Sequence, residues 1–134
     1  MASNPIVWVD DDLDYMLLAR RALRNHGVSN PVVCLQSPEL ARSYLGCFDG
    51  NEASNPLPCL MVVEMRAAIE ETTRLLSWIR ARPAFDGVPL LLLDPCSVLD
   101  VQQAREFGVT EILPKVVERD AVDVLASHII REWL

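Results

Sequence analysis

The sequence has few basic residues, and this excludes one broad class of function. Asp and Glu number 19 against 12 for Lys and Arg, so the formal net charge is -7. The nearest approach to a basic cluster is Arg20, Arg21 and Arg24, which fall on one side of a predicted helix. Because contacts to phosphates require Lys and Arg gathered on one face, we do not expect this chain to bind nucleic acid.

Signals for export, membrane insertion and metal-thiolate chemistry are also missing. Met1 to Pro5 has no basic segment followed by an apolar core, so it does not resemble a signal peptide. Apolar runs such as Leu90 to Leu93 have the length of a strand, far below the ~20 residues that span a bilayer. We therefore expect a cytoplasmic protein. The four cysteines show no CxxC spacing, which predicts neither a zinc site nor a redox pair: Cys34, Cys47, Cys59 and Cys96.

Short β-rich runs alternate with amphipathic segments along the 134 residues. The predicted strands are Ile6–Val9, Pro31–Leu35, Leu60–Glu64, Val88–Leu93 and Glu111–Leu113. The predicted helices cover Leu13–His26, Pro38–Leu45, Glu70–Arg82, Val98–Phe107 and a last segment from Arg119. Strict alternation predicts an α/β fold with a five-stranded, doubly wound parallel sheet in three α/β/α layers. We expect one domain, residues 1–134, without an output domain.

Charged residues follow four of the five predicted strands. Asp10 and Asp11 come after the first strand, Glu64 ends the third, Asp94 follows the fourth and Lys115 follows the fifth. In an open parallel sheet the ligand crevice lies beyond the carboxyl ends of the strands. We therefore expect these five side chains to converge on one site.

In this order, these residues closely resemble those of the CheY-like receiver domain of bacterial response regulators. The run Ala104-x-x-x-Gly108-Val109-x-x-Ile112-Leu113-x-Lys115 is also similar to that family's segment before its lysine. The resemblance extends from Ile6 to the end of the chain. It implies a flavodoxin-like fold and a role in two-component (phosphorelay) signal transduction.

The resemblance also implies a chemistry for the site. In receivers, an acidic pair and an Asp at the end of strand three hold Mg²⁺, and the Asp takes a phosphoryl group from a histidine kinase. Hard oxygen ligands suit Mg²⁺, which neutralises charge on the transferring group. The matching candidate metal ligands here are Asp10, Asp11 and Glu64, and Lys115 matches the lysine that contacts the phosphoryl oxygens.

Several positions depart from the family pattern. Glu64 replaces the phospho-accepting Asp and carries its carboxylate about 1.5 Å farther from the backbone. Asp94 replaces the Thr or Ser that donates to the phosphoryl group, Ile112 replaces the aromatic switch residue, and Val116 replaces Pro. These changes predict a pseudo-receiver without a catalytic residue, in which Mg²⁺ binds weakly or is absent.

Four carboxylates around one lysine should raise the pKa of at least one acid or recruit a cation. We expect Lys115 to pair with Glu64 or Asp94 and to fix the domain in one state. Such a protein is not an enzyme and acts through a protein partner, a histidine kinase or a downstream signalling protein. The expected docking face is the fourth helix, fifth strand and fifth helix, about residues 98–134, which in receivers also supports homodimers.

Other interpretations remain open at the level of sequence. Asp10 to Asp14 could simply favour a helix N-terminus, where negative charge meets the positive end of the helix dipole. A competent receiver phosphorylated on an acidic pocket residue is the main alternative. A small Mg²⁺-dependent phosphohydrolase is weaker, because no general base or nucleophile can be named.

Overall fold

The computed structural model describes residues 4–46, 57–65, 69–94, 105–116 and 118–134. Its sheet contains five parallel strands in the order β2-β1-β3-β4-β5. The strands are β1 (Ile6–Val9), β2 (Val32–Leu35), β3 (Leu60–Glu64), β4 (Leu90–Asp94) and β5 (Glu111–Pro114). The predicted fold class is confirmed, and β3 occupies the centre of the sheet because its apolar residues can be buried on both faces.

Four helices lie on the sheet in the described part of the chain. They are α1 (Leu13–Asn25), α2 (Pro38–Leu45), α3 (Ile69–Arg80) and α4 (Arg119–Trp133). Helix α3 ends two residues earlier than predicted, and a 3₁₀ turn (Pro83–Phe85) follows because proline disfavours helical backbone in the residue before it. Most of the predicted helix over 98–107 lies outside the described residues. Within the part that is described, residues 105 and 106 are helical.

The side chains of successive strand residues alternate between two cores, one on each face of the sheet. Helices α2 and α3 cover one core, which contains Val7, Val9, Met61, Val63, Leu90 and Leu92. Helices α1 and α4 cover the other, which contains Ile6, Trp8, Leu60, Val62, Leu91 and Leu93. This is the three-layer arrangement that the sequence predicts. None of the helices in the described ranges has the length and apolar character needed to cross a membrane.

One arginine fastens α3 to the turns on either side of β4. Arg80 donates hydrogen bonds to the backbone oxygens of Gly108 at 2.9 Å, Phe85 at 2.8 Å and Val88 at 3.0 Å. Gly108 adopts φ +74°, and a Cβ there would lie 2.5 Å from Arg80 Cγ. Glycine at position 108 therefore lets the chain pass close to Arg80 immediately before β5, the strand that leads to Lys115.

Candidate functional site

The candidate site lies at the carboxyl ends of the strands, where the sequence predicts it. Strands β1 and β3 are neighbours with Val9 opposite Val63, so the residues that follow, Asp10 and Glu64, lie side by side. Lys115 comes directly after β5, which is separated from β3 by β4. A long side chain is needed to cross that gap, and lysine supplies one.

The ammonium of Lys115 bridges the two carboxylates. Its Nζ lies 2.9 Å from Glu64 Oε1, 3.0 Å from Asp10 Oδ2 and 3.3 Å from Asp10 Oδ1. The exposed fraction of the side chains is 2% for Lys115, 2% for Glu64 and 0% for Asp10. The ammonium and both carboxyl groups are therefore held out of water, where an ion pair interacts more strongly than at the surface.

The acidic run after β1 divides into separate roles. Asp10 Oδ1 accepts a hydrogen bond from the Asp12 amide at 2.8 Å, which fixes the carboxylate in the pocket. Asp12 is the N-cap of α1, and its Oδ1 accepts from the Tyr15 amide at 3.1 Å. Asp11 is exposed, and its carboxylate lies close to the pocket. The helix-terminus interpretation thus applies to Asp12, whereas Asp10 belongs to the site.

Tyr15 completes the surroundings of the ammonium. The centroid of its ring lies 4.4 Å from Lys115 Nζ, a cation–π distance. The residue is 4% exposed and packs in the core covered by α1 and α4. Sequence reasoning missed this contact, because a buried aromatic residue in the first turn of a helix normally indicates core packing alone.

Burial and crowding shift the acid–base properties of the site. The pKa of Asp10 rises from 3.8 to about 7, mainly because burial penalises the charged form and also because Glu64 lies beside it. The Asp12 amide and the Lys115 ammonium act in the opposite direction, because both stabilise the carboxylate. Burial, together with the charges of Asp10 and Glu64, also raises the pKa of the Tyr15 phenol. Asp10 is thus the acid whose pKa is raised, as expected for at least one carboxyl group of the site.

The donor set could hold a metal ion by type and spacing. One carboxylate oxygen from each of Asp10, Asp11 and Glu64 lies within 4.8 Å of the others. In the observed arrangement, however, both oxygens of Asp10 and Oε1 of Glu64 already contact the Lys115 ammonium. These residues do not fit a divalent cation as they stand, because the ion would have to compete with the ammonium for the same oxygens.

Two further predicted positions lie in β4 and β5. Asp94 ends β4, but its side chain is outside the described residues. Ile112 lies in β5, three residues before Lys115, and packs half-buried against the core covered by α2 and α3. The structure therefore brings Asp10, Glu64 and Lys115 together, with Asp11 at the edge of the site. Tyr15 is a further site residue, which sequence reasoning did not identify.

The solved structures similar to this chain include several response regulators. The Mn²⁺-bound form of response regulator Rcp1 has a TM-score of 0.82 at 20% identity, covering 98% of this chain and 95% of that one. The phosphorylated cyanobacterial phytochrome response regulator RcpA gives 0.82 at 22% identity, with 98% and 94% covered. A response regulator from Hahella chejuensis gives 0.80 at 18% identity, with 98% and 96% covered.

Sequence comparison adds nothing to these matches. No protein-family model and no curated protein matches the chain. The likeness therefore rests on three-dimensional structure, at sequence identities of 18 to 22% for the three proteins described. It establishes that this chain has the fold of response-regulator receiver domains.

Proposed function

We propose that this chain is a receiver-like module of two-component signalling that is not switched by phosphoryl transfer and acts by binding a protein partner. The observation that carries the proposal is the ion pair between Lys115 and Glu64, 2.9 Å long and 2% exposed on each side. Glu64 occupies the position that corresponds to the phosphorylated Asp of receivers. Its carboxylate is paired and shielded from an incoming phosphoryl donor.

The chemistry of phosphoryl transfer supports the same conclusion. The attacking oxygen must reach the phosphorus in line with the leaving group, and an error of about 1 Å in position is costly. The extra methylene of Glu64 moves its oxygen by more than this, and Oε1 points at the ammonium. Among the proteins with this fold, RcpA is described in a phosphorylated form and Rcp1 in an Mn²⁺-bound form.

We expect a partner to bind the face predicted for residues 98–134, of which the structure describes 105–116 and 118–134. Its two described elements are fastened together, since His128 Nε2 and Trp133 Nε1 both donate to Glu111 Oε1 at 2.8 Å. Val124 of α4 is 69% exposed, so the helix presents an apolar side chain to solvent. A pocket closed by a buried ion pair and a face held by side-chain hydrogen bonds suit a docking module better than a switch.

Amide NMR of the purified protein tests the proposal. The protein is titrated with Mg²⁺ and then with beryllofluoride, which mimics a phosphoryl group on a carboxylate. We expect no beryllofluoride shifts in the wild type. The double variant Glu64→Asp, Asp94→Thr restores the receiver pattern and is expected to respond. Shifts in the wild type that spread from Glu64 through Lys115 to Ile112 would overturn the proposal and establish a competent receiver.

A further inference from the structure

Lys115 is the only lysine in the chain, and the other eleven residues counted as Lys or Arg are arginines. The two side chains are not equivalent. The planar guanidinium of arginine binds a carboxylate through two parallel hydrogen bonds, whereas the lysine ammonium is a compact point charge on a flexible side chain. The one compact side-chain cation of this protein thus lies where receivers place a divalent ion and a phosphoryl group.

The ammonium is enclosed by groups that favour positive charge. Three carboxylate oxygens of Asp10 and Glu64 lie 2.9 to 3.3 Å from Nζ. The ring of Tyr15 lies 4.4 Å away and presents its electron-rich face. We propose that Lys115 is the resident cation of this pocket in place of a divalent ion, and that Tyr15 is the positioning residue that keeps it there.

This inference deepens the proposed function and rests on it only in identifying the pocket as the receiver site. A lysine side chain has many rotamers, so two carboxylates alone need not hold the ammonium inside the pocket. The Tyr15 ring covers the cation with a surface that attracts it and excludes water. Cation–π attraction is strongest when the cation has lost its water, as it has here.

The consequence is competition between Lys115 and metal ions. A divalent ion needs the oxygens of Asp10 and Glu64 that now face the ammonium. Metal affinity should therefore depend on Tyr15, although its ring is not a metal ligand. A role for Tyr15 in core packing alone predicts no such dependence, and this difference makes the inference testable.

The first test observes the lysine directly. Protein labelled with ¹⁵N,¹³C-lysine gives one side-chain signal, because the chain has one lysine. We expect slowly exchanging ammonium protons and an upfield ring-current shift of the ε-methylene protons. Tyr15→Phe keeps the ring and should keep both signatures, whereas Tyr15→Leu should lose both. Rapid exchange and an unshifted ε-methylene in the wild type would overturn the inference without any variant.

The second test measures metal binding with Mn²⁺ as the probe, read from the paramagnetic broadening of amides near Asp10 and Glu64. Removal of the ring in Tyr15→Leu should tighten Mn²⁺ binding roughly 2- to 30-fold, the range that corresponds to a cation–π contact. Tyr15→Phe should stay near the wild type. Tyr44→Leu is the matched control, because Tyr44 packs in the core on the opposite face of the sheet.

The outcomes separate this inference from the proposed function. Equal Mn²⁺ affinity in the wild type and Tyr15→Leu, or equal tightening in Tyr44→Leu, would overturn the role of Tyr15. Tight Mn²⁺ binding at Asp10 and Glu64 in the wild type would overturn Lys115 as the resident cation. Both results leave the proposed function intact if beryllofluoride still causes no shifts. A beryllofluoride response in the wild type would instead overturn the proposed function.

Discussion

Lys115 and Glu64 form a buried ion pair of 2.9 Å between the ends of two strands that are not neighbours, β5 and β3. The pair spans the end of β4 and connects one edge of the sheet to its centre. Asp10 at the end of β1 joins the same ammonium, so three strands are tied together at one point. In this protein the buried ammonium is thus a structural tie between the ends of β1, β3 and β5.

Lys115→Met should destabilise the fold. Methionine fills a similar volume but leaves the carboxylates of Asp10 and Glu64 buried beside each other without a cation. Breaking a buried ion pair on one side costs about 3–5 kcal/mol of unfolding free energy. Urea denaturation followed by tryptophan fluorescence measures this loss.

Glu64→Gln is the companion variant. It keeps an acceptor oxygen for the ammonium, which remains paired with Asp10, so the loss should be smaller, about 1–2 kcal/mol. A Lys115→Met protein as stable as the wild type would show that the pair contributes no net stability.

The contribution of Asp10 to the unfolding free energy should decrease as the pH rises towards neutrality. Asp10 has a pKa of about 7 in the folded protein against an ordinary value of 3.8, so the folded state binds this proton more strongly than the unfolded chain. The stability that this group contributes is fully present below about pH 4 and is lost as the pH rises through about 7. A loss of a few kcal/mol is the expected scale.

The measurement is urea denaturation at several pH values between about 4 and 8, the range that brackets the two pKa values. Asp10→Asn cannot titrate, so the difference between wild type and variant isolates this group from the other acids. The wild-type curve should fall relative to that of Asp10→Asn across this range. Parallel curves would show that the pKa of Asp10 is not raised by folding.

Parts of the site can be predicted from sequence because they follow from topology. Parallel strands end at one edge of the sheet, so the sequence predicts that Asp10, Glu64 and Lys115 converge, and a lysine among acids is expected to pair with one of them. Which acids share the ammonium depends on distances of a few tenths of an ångström, which no spacing encodes. The contact with Tyr15 depends on the angle at which α1 leaves β1, and residue type alone does not reveal it.

The division of the acidic run can be tested by single substitutions. Asp12→Ala removes the side chain that caps α1 and should cost about 1 kcal/mol. Asp11→Ala changes an exposed side chain and should alter stability by less than about 0.5 kcal/mol. Thermal unfolding by circular dichroism compares the two variants. An equal loss in both would mean that the run acts only through its total negative charge at the helix terminus.

Two glycines with positive φ separate backbone strain from steric contact. Gly27 adopts φ +92° and has nothing within 4 Å of the position that a Cβ would take, whereas Gly108 adopts φ +74° with Arg80 side-chain atoms at 2.5 to 2.9 Å from that position. Gly27→Ala should cost about 1 kcal/mol, the penalty for a Cβ in left-handed backbone. Gly108→Ala should cost more, because the added methyl must displace an arginine that bonds three backbone oxygens.

Because Gly108 precedes β5, the same substitution should also disturb the Lys115 side-chain signal, which Gly27→Ala should leave unchanged. Urea denaturation gives the two free energies, and the lysine spectrum shows whether the disturbance reaches the pocket. Equal costs for both substitutions would mean that Arg80 moves aside freely. In that case its three hydrogen bonds do not set the position of β5, and the tie between Lys115 and Glu64 would have to position the strand by itself.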